Sequence, residues 1–155
     1  MFLRDTLLGR GDTETAEMEI NQITEKIIGA AIKVHSLLGP GLFEQVYKAC
    51  LFRELQKQSI KVAKEVMLPV LYDCELIDLG YRLDLLVESE VIVELKAIER
   101  LTRVHRTQVL TYLKLSQKTV GLLINFNAVP LKDGIVRIVR GYAGPKPSAV
   151  SVSPR

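Results

Sequence analysis

Apolar residues recur at three- and four-residue steps through the first part of the chain, from Glu17 to Leu38. This spacing places them on one face of an amphipathic helix. The Gly39-Pro40-Gly41 sequence ends that helix, because proline cannot continue the hydrogen-bond ladder and glycine permits a left-handed cap. A second helix is predicted from about Leu42 to Gln58. We therefore expect the fold to begin with two packed helices.

The middle of the chain alternates short apolar segments with polar turns. Segments rich in Val, Ile, Leu and Tyr predict strands at roughly Lys61–Tyr72, Gly80–Val87 and Val91–Ala97, arranged as an antiparallel meander. A third helix is predicted over about Arg103–Ser116. The continuous apolar run Thr119–Phe126 is typical of a strand buried on both faces, so we expect it inside the sheet.

A last short strand, around Ile135–Val139, completes the order of elements. Helix, helix, three strands, helix, strand, strand predicts an α/β fold in which helices flank a mixed sheet. We expect an N-terminal extension over residues 1–16, one folded domain over 17–142 and a flexible Gly/Pro/Ser-rich tail over 143–155. A chain of 155 residues is long enough for one domain with a substantial core.

Composition excludes several classes of protein without selecting one. Apolar residues make up 48% of the chain and charged residues 25%, as in ordinary globular proteins. No segment approaches the ~18 to 20 apolar residues of a membrane span, and the first residues lack a signal-peptide core, so we expect a cytoplasmic protein. Cys50 and Cys74 lack metal-ligand spacing and are expected to be free thiols. A net charge of +3 permits an acidic partner such as nucleic acid.

Two charged residues interrupt the apolar segment VIVELKA, which covers residues 91–97. Side chains alternate along a strand, so Glu94 and Lys96 share one face. A buried carboxylate requires a cation, a hydrogen bond or a proton, because removing it from water is costly. One interpretation is a simple Glu94–Lys96 salt bridge on an exposed sheet face. A second acidic residue in the neighbouring strand favours a different interpretation, a shared acidic site.

Asp84 lies in the apolar run GYRLDLLV, which precedes VIVELKA. If the two strands form a hairpin with Glu88-Ser89-Glu90 as a three-residue loop, Asp84 stands opposite Glu94. A two-residue loop would set Asp84 opposite Leu95 and turn it to the other face. A shared acidic site therefore requires an odd loop or a bulge at this turn.

Glu44 is a third candidate carboxylate, at the edge of the inward face of the second predicted helix. A surface pair with Lys48 is the alternative for Glu44. Converging carboxylates repel one another unless a cation joins them, and hard oxygen ligands suit Mg²⁺ or Mn²⁺. Lys96 could then orient or help deprotonate an attacking water. Gln108 could hold a water or a phosphate oxygen, or lie at a solvated helix position.

A basic stretch, RLTRVHR, follows the third predicted strand. Its cations could bind phosphates or could form a solvated approach to a helix. They are Arg100, Arg103, His105 and Arg106. His35 and Tyr47 flank the Gly-Pro-Gly turn, where they either line a cleft or pack in the core.

An Asp, about ten residues, then Glu-x-Lys, with an upstream helical Glu and a downstream helix bearing Gln and Tyr, resembles the PD-(D/E)xK nuclease superfamily. The stretch Gly41-Leu-Phe-Glu44-Gln-Val-Tyr47 has the form of the motif that names the GxxExxY protein family. The blocks VHSLLGPGLFEQVY, GYRLDLLVESEVIVELKA, QVLTYLKL and GLLINF are similar to that family's, in its order, from about Ile20 to Val139. The superfamily's proline is absent, since Leu83 precedes Asp84.

The resemblance implies a restriction-endonuclease-like α/β/α sandwich around a mixed central sheet. It places four residues at the superfamily's motif positions and two more in the helix that follows. The motif positions hold Glu44, Asp84, Glu94 and Lys96, and the helix holds Gln108 and Tyr112.

A Mg²⁺- or Mn²⁺-dependent nuclease is the function that the resemblance implies, with nucleic acid, most of all DNA, as the partner. The metal is expected between Asp84, Glu94 and the backbone carbonyl of Leu95, with Glu44 joining directly or through water. A small catalytic domain would gain contact area as a homodimer, as small structure-specific resolvases do. Two alternatives stay open: a nucleic-acid-binding or regulatory module without turnover, and a structural domain in which Glu94 and Lys96 form an ion pair.

Overall fold

Two helices open the fold, as the apolar periodicity predicts. In the computed structural model, which describes residues 10–141 and side chains from residue 19 onward, α1 spans Arg10–Leu38 and α2 spans Glu44–Lys57. Helix α1 begins earlier than the predicted Glu17. Apolar periodicity marks only the part of a helix that packs on the core, whereas the backbone ladder can continue beyond it. The predicted tail over 143–155, and residues 1–9 of the predicted extension, lie outside the described residues.

Five strands form a single mixed sheet in the order β1-β2-β3-β4-β5. They span Val62–Tyr72, Glu75–Val87, Val91–Lys96, Val120–Asn125 and Ile135–Val139, and helix α3, Arg103–Ser116, connects β3 to β4. The first three strands are an antiparallel meander, as predicted. Strand β4 runs parallel to β3 and antiparallel to β5, so it lies inside the sheet, as its continuous apolar run predicts. A short 3-10 turn, Leu131–Gly134, precedes β5.

The β1–β2 hairpin is longer than predicted, because β2 begins at Glu75 rather than Gly80. Its turn is Asp73-Cys74, with φ of 48° and 63°, which suits a two-residue hairpin loop. A register shift near Leu68 interrupts the apolar pattern there, so periodicity does not reveal the first part of β2. The hairpin exposes several large apolar side chains. They are Met67, Leu71, Tyr72, Leu76 and Leu79.

Helices cover both faces of the sheet and give two separate apolar clusters. Helices α1 and α2 pack against one face, with Leu51, Val93 and Leu122 among the shared core residues. Helix α3 packs against the other face, where Val109 and Ile92 are buried. The predicted α/β/α sandwich with a mixed sheet is therefore confirmed.

Two further expectations concern the thiols and the helices. Cys50 is half-buried, Cys74 is exposed, and both are free, as predicted. Across residues 10–141, no helix combines the length and the apolar character that crossing a membrane would require.

Candidate functional site

The β2–β3 hairpin brings Asp84 and Glu94 together. Val87 pairs with Val91 and Leu85 with Val93, so the connection is the three-residue loop Glu88–Glu90. The left-handed backbone of Glu88 and Ser89 makes this loop possible. The predicted three-residue loop is therefore confirmed. Asp84 and Glu94 follow the last pair, Leu85 with Val93, and lie close enough for the charge of Asp84 to raise the pKa of Glu94 after the larger effect of burial.

Both oxygens of the buried Asp84 carboxylate have partners. The backbone N–H of Leu95 donates to Oδ2 at 2.9 Å. The Lys48 ammonium group lies 2.9 Å from Oδ1. A buried carboxylate that is paired with a cation and accepts a backbone hydrogen bond can keep its charge.

Glu94 is buried with less compensation. Its side chain faces Lys96, with Nζ 3.5 Å from Oε1, and only 5% of the residue is exposed. Within the described part of the chain, Oε2 has no hydrogen-bond partner. Burial, and next the negative charge of Asp84, raise the pKa of Glu94 from its usual 4.5 to about 8, although Lys96 opposes the shift. The site therefore holds a carboxyl group whose charge is not fully neutralised by the protein.

Helix α2 adds the third carboxylate. Glu44 is the first residue of α2 and is half-buried. Burial raises the pKa of Glu44, the nearby Lys96 lowers it and Asp84 raises it again. Glu44 therefore interacts with charges of both strands of the hairpin. The structure brings together Glu44, Asp84, Glu94 and Lys96, the residues that the motif pattern singled out.

Sequence reasoning missed Lys48 as a member of this site. A surface pair between Glu44 and Lys48 was one interpretation of the helix, but the Lys48 side chain is only 8% exposed and contacts Asp84 and Glu65. Burial alone would lower the pKa of Lys48, but the hydrogen bond and charge of Asp84 outweigh it and the pKa is raised. Lys48 follows Glu44 by one helical turn, so an inward-facing Glu44 was the signal that could have revealed it.

Tyr47 belongs to the core rather than to a cleft. The residue is fully buried, and its ring stacks on Phe126 with 4.5 Å between ring centroids. Its hydroxyl donates to the Gly39 carbonyl at 2.6 Å and accepts from the Leu42 N–H at 3.1 Å. These two bonds close the turn that starts α2, so Tyr47 helps to position Glu44. Of the two alternatives for Tyr47, the structure therefore favours packing in the core.

His35 lies at the same end of the core. Its ring is 6.5 Å from that of Phe126, in a tilted arrangement. The Nε2 atom is buried and has no hydrogen-bond partner among the described residues. These contacts connect His35 to the apolar core, and a role for it in a cleft stays a prediction.

Tyr47→Phe tests how strongly the turn before α2 depends on that hydroxyl. The variant leaves the Leu42 N–H and Gly39 carbonyl without their partner, so we expect the free energy of unfolding to fall by about 1–3 kcal/mol. Urea unfolding followed by circular dichroism measures the change. Tyr72→Phe is the matched control, because Tyr72 is exposed on the β1–β2 hairpin. Equal stability of the two variants would show that the hydroxyl does not hold the turn.

Helix α3 places a polar pair beside the acidic residues. The Gln108 amide donates to the Tyr112 hydroxyl at 2.7 Å. Burial, then the charges of Glu94 and Asp84, raise the pKa of Tyr112 to about 12. Tyr112 therefore lies close enough for both carboxylates to affect the pKa of its hydroxyl. Its hydrogen bond with Gln108 holds that amide at the border of the site.

A protein-family model matches most of the chain. It describes the PD-(D/E)XK nuclease superfamily and matches residues 21–138. The chain belongs to the PD-(D/E)XK nuclease superfamily. No curated protein and no solved structure matches the chain. The match extends from α1 to β5 and includes the whole acidic site. The superfamily predicted from the motifs is thus confirmed, and the narrower GxxExxY assignment stays a prediction.

The arginines among the predicted phosphate-binding residues of this superfamily member line two different depressions. Arg103 and Gln108 line a groove of about 510 Å³ beside α3. Arg100 and Arg106 line a separate depression of about 210 Å³. His105 caps α3, since its Nδ1 accepts the Thr102 N–H at 2.9 Å. The predicted phosphate-binding role of His105 therefore competes with a structural one, whereas the three arginines are exposed.

Asn125 is a second residue near the site that sequence reasoning missed, and its role is structural. It is buried at the end of β4, where its side chain accepts the Ile98 N–H at 3.1 Å and donates to the Ile98 carbonyl at 2.9 Å. These bonds fix the chain just after β3, so they help to hold Lys96. An amide within the apolar run GLLINF was the available signal.

The acidic residues of this superfamily member can be tested for their fit to a divalent metal. Among the described side chains, those of residues 19–141, no three His, Cys, Asp or Glu form a group that could hold a metal ion. The donor chemistry nevertheless fits, because Asp84 and Glu94 present hard oxygens and Mg²⁺ takes most of its ligands from water and substrate. Glu94 Oε2, which has no hydrogen-bond partner among the described residues, could serve as a ligand atom. A cation there would offset both the burial and the charge of Asp84 that raise the pKa of Glu94.

Proposed function

We propose that this chain is a metal-dependent nuclease that hydrolyses phosphodiester bonds of nucleic acid, with DNA favoured, and that it belongs to the GxxExxY branch of its superfamily. The observation that carries the proposal is the buried Glu94 carboxylate, which lies near Asp84 and Lys96 and has one oxygen without a hydrogen-bond partner in the part of the chain that the structure describes. A carboxylate in this environment is costly unless a cation uses it. The superfamily match supports the same chemistry.

Three groups of this chain would hold the metal. They are the carboxylates of Asp84 and Glu94 and the backbone carbonyl of Leu95, and Glu44 would contribute directly or through a bound water. When bound, Mg²⁺ or Mn²⁺ polarises the phosphodiester, lowers the pKa of a bound water and stabilises the leaving oxygen. The burial of both carboxylates strengthens every electrostatic interaction at this position.

Lys96 has the position for proton handling. Its side chain is largely buried on the face of Glu94, so its ammonium group can orient the attacking water and steady charge that develops on the phosphate. Gln108 can donate a hydrogen bond to a phosphate oxygen, or donate to or accept from a water, while its bond to Tyr112 holds it in place.

Nucleic acid would approach along the side of α3. Arg103 lines the groove that also contains Gln108, which in turn contacts Tyr112 beside the carboxylates. Exposed arginines bind phosphates with release of counterions, so binding should weaken as salt concentration rises. Homodimerisation is part of the proposal, and the exposed apolar side chains of the β1–β2 hairpin support it. Sedimentation that does not change with concentration, at the mass of one chain, would exclude a dimer.

The decisive experiment is a cleavage panel. Purified protein is incubated with Mg²⁺ or Mn²⁺ and with linear, branched and single-stranded DNA and RNA. Metal-dependent cleavage of at least one substrate, abolished by EDTA, is the expected result. Binding without metal-dependent cleavage would instead support a nucleic-acid-binding or regulatory module.

Lys96→Met identifies the part of that cleavage that comes from this site. We expect the cleavage rate to fall by about 10²- to 10⁴-fold, the usual range for a group that handles protons. The fold should persist, because methionine keeps the length of the side chain and Lys96 Nζ lies 3.5 Å from its partner Glu94. Lys26→Met, at an exposed position of α1, is the matched control. Full activity in Lys96→Met would assign the cleavage to another site or to a contaminant.

A further inference from the structure

Lys48 has no role in the chemistry proposed above, although its side chain reaches the centre of the site. Its ammonium group lies 2.9 Å from Asp84 Oδ1 and 3.8 Å from Glu65 Oε1, and only 8% of its side chain is exposed. Taking an ammonium group out of water is costly, so these two carboxylates must compensate its charge. Lys48 is thus a cation that the fold itself brings to a proposed metal ligand.

The position of Lys48 sets it in competition with a bound metal. Leu95 N–H already occupies Oδ2 of Asp84, and Lys48 occupies Oδ1. A divalent cation bound to Asp84 would therefore have to share the negative charge of that carboxylate with Lys48. Two cations beside one carboxylate repel strongly in a site that excludes water.

Glu65 offers Lys48 a second partner. Lys64 and Val66 pair with Leu85 and Leu83, so Glu65 lies across from Asp84 on the neighbouring strand. Its backbone has a φ of 53°, a left-handed conformation that is uncommon for a residue inside a strand and that functional sites often retain. A shift of about 1 Å would bring the Lys48 ammonium group from 3.8 Å to charge-assisted hydrogen-bond distance of Glu65.

We propose that Lys48 is a resident counter-cation of the site, which neutralises Asp84 in the metal-free protein and moves to Glu65 when a divalent cation binds. The exchange lowers the affinity for the metal and keeps the metal-free fold stable. The inference rests on the proposed function, because it requires a divalent cation at Asp84 and Glu94. Lys48 acts through Asp84, so it is a positioning residue rather than a catalytic one.

Two variants should change metal affinity in opposite directions. Lys48→Met removes the competing cation, so its affinity for Mn²⁺ should rise by about tenfold, within the ordinary range of coupling between two binding events. Its melting temperature in EDTA should fall, and Mn²⁺ should restore it. Glu65→Gln removes the second partner and keeps Lys48 on Asp84, so its affinity for Mn²⁺ should fall.

Isothermal titration of EDTA-dialysed protein with MnCl₂ at pH 8, together with thermal unfolding with and without Mn²⁺, measures these effects without a nucleic-acid substrate. Lys26→Met and Glu90→Gln are the matched controls, because both positions are exposed and lie outside the site. Both controls should bind Mn²⁺ as the wild type does.

The outcomes separate this inference from the proposed function. Wild-type protein that binds Mn²⁺ and cleaves, with unchanged or weaker binding in Lys48→Met, would overturn the inference and leave the function standing. If Lys48→Met does not fold, Glu65→Gln supplies the test. Mn²⁺ binding by Glu65→Gln that is as tight as in the wild type, or tighter, would show that Lys48 does not move to Glu65. Wild-type protein that binds no Mn²⁺ would remove the metal site and the inference together.

Discussion

Glu94→Gln is expected to abolish metal-dependent cleavage and, in the same protein, to stabilise the metal-free fold. Activity should fall by at least about 100-fold, since even the outer partners of metal ligands change affinity or activity by about 10- to 100-fold. Stability should rise because glutamine cannot carry the charge that the buried site leaves uncompensated. The same substitution would then lower activity and raise stability, a trade-off that is common at active sites.

The pH dependence of stability follows from the pKa of Glu94. In the folded metal-free protein this pKa is about 8, above the usual 4.5, so the native state holds a proton that the unfolded chain has released between these values. The free energy of unfolding must therefore decrease as pH rises from about 5 to 8. At pH 8 the loss is on the order of 3 kcal/mol. The raised pKa of Glu44 adds to the same slope, whereas the lowered pKa of Glu54 acts only in acid.

Denaturant unfolding in EDTA at pH 5.5 and pH 8 tests this dependence. Wild-type protein should lose stability between the two values, and Glu94→Gln should lose much less. Glu90→Gln is the matched control, since Glu90 is exposed in the β2–β3 turn. Parallel pH profiles of the wild type and Glu94→Gln would show that Glu94 is not the group that titrates.

Asp84→Asn is expected to give the largest loss of stability among the site variants. Asparagine can still accept the Leu95 N–H, but it leaves the buried Lys48 ammonium group without its anion at 2.9 Å. Removing one member of a buried ion pair costs about 3–5 kcal/mol, and Glu65 at 3.8 Å should reduce this to about 3 kcal/mol. Cleavage should also be lost, because Asp84 is a proposed metal ligand.

A double-mutant cycle assigns that loss to the ion pair. We expect Asp84→Asn combined with Lys48→Met to be more stable than the sum of the two single changes, by about 1–3 kcal/mol. Urea unfolding at pH 6 in EDTA supplies the four free energies. Additive effects would mean that Lys48 and Asp84 do not stabilise each other. Mn²⁺ should restore the stability of Lys48→Met but not that of Asp84→Asn, which has lost the carboxylate.

Local patterns in the chain predicted the elements and much of the site. Apolar residues recur every three or four positions in α1, because that is the period of a helix. Apolar runs mark β3 and β4, which are buried on both faces. These patterns predicted the elements correctly. Alternation predicted that Glu94 and Lys96 share one face, and the predicted three-residue loop, which the structure has, brings Asp84 close to Glu94. The motif spacing then indicated the superfamily, which the family match supports.

The same patterns could not predict which charges pair. Lys48 has an ordinary position on a helix surface when the sequence is taken alone, and only the packing of α2 on the sheet brings it to Asp84. The structural roles of Tyr47 and Asn125 depend in the same way on contacts with distant backbone. The capping role of His105 at α3 likewise became visible only in the structure, and its role in phosphate binding stays a prediction.

Periodicity and motif spacing are properties of neighbouring residues, so they were enough to predict the order of the elements, the faces that side chains of one strand share and the superfamily. The burial of Glu94, with one oxygen that has no hydrogen-bond partner among the described residues, and the pairing of Lys48 with Asp84 could be found only from the packed structure. The cost of burying a charge and the strength of an ion pair depend on solvent exclusion and on distances between remote segments. Those quantities exist only once the helices have packed on the sheet.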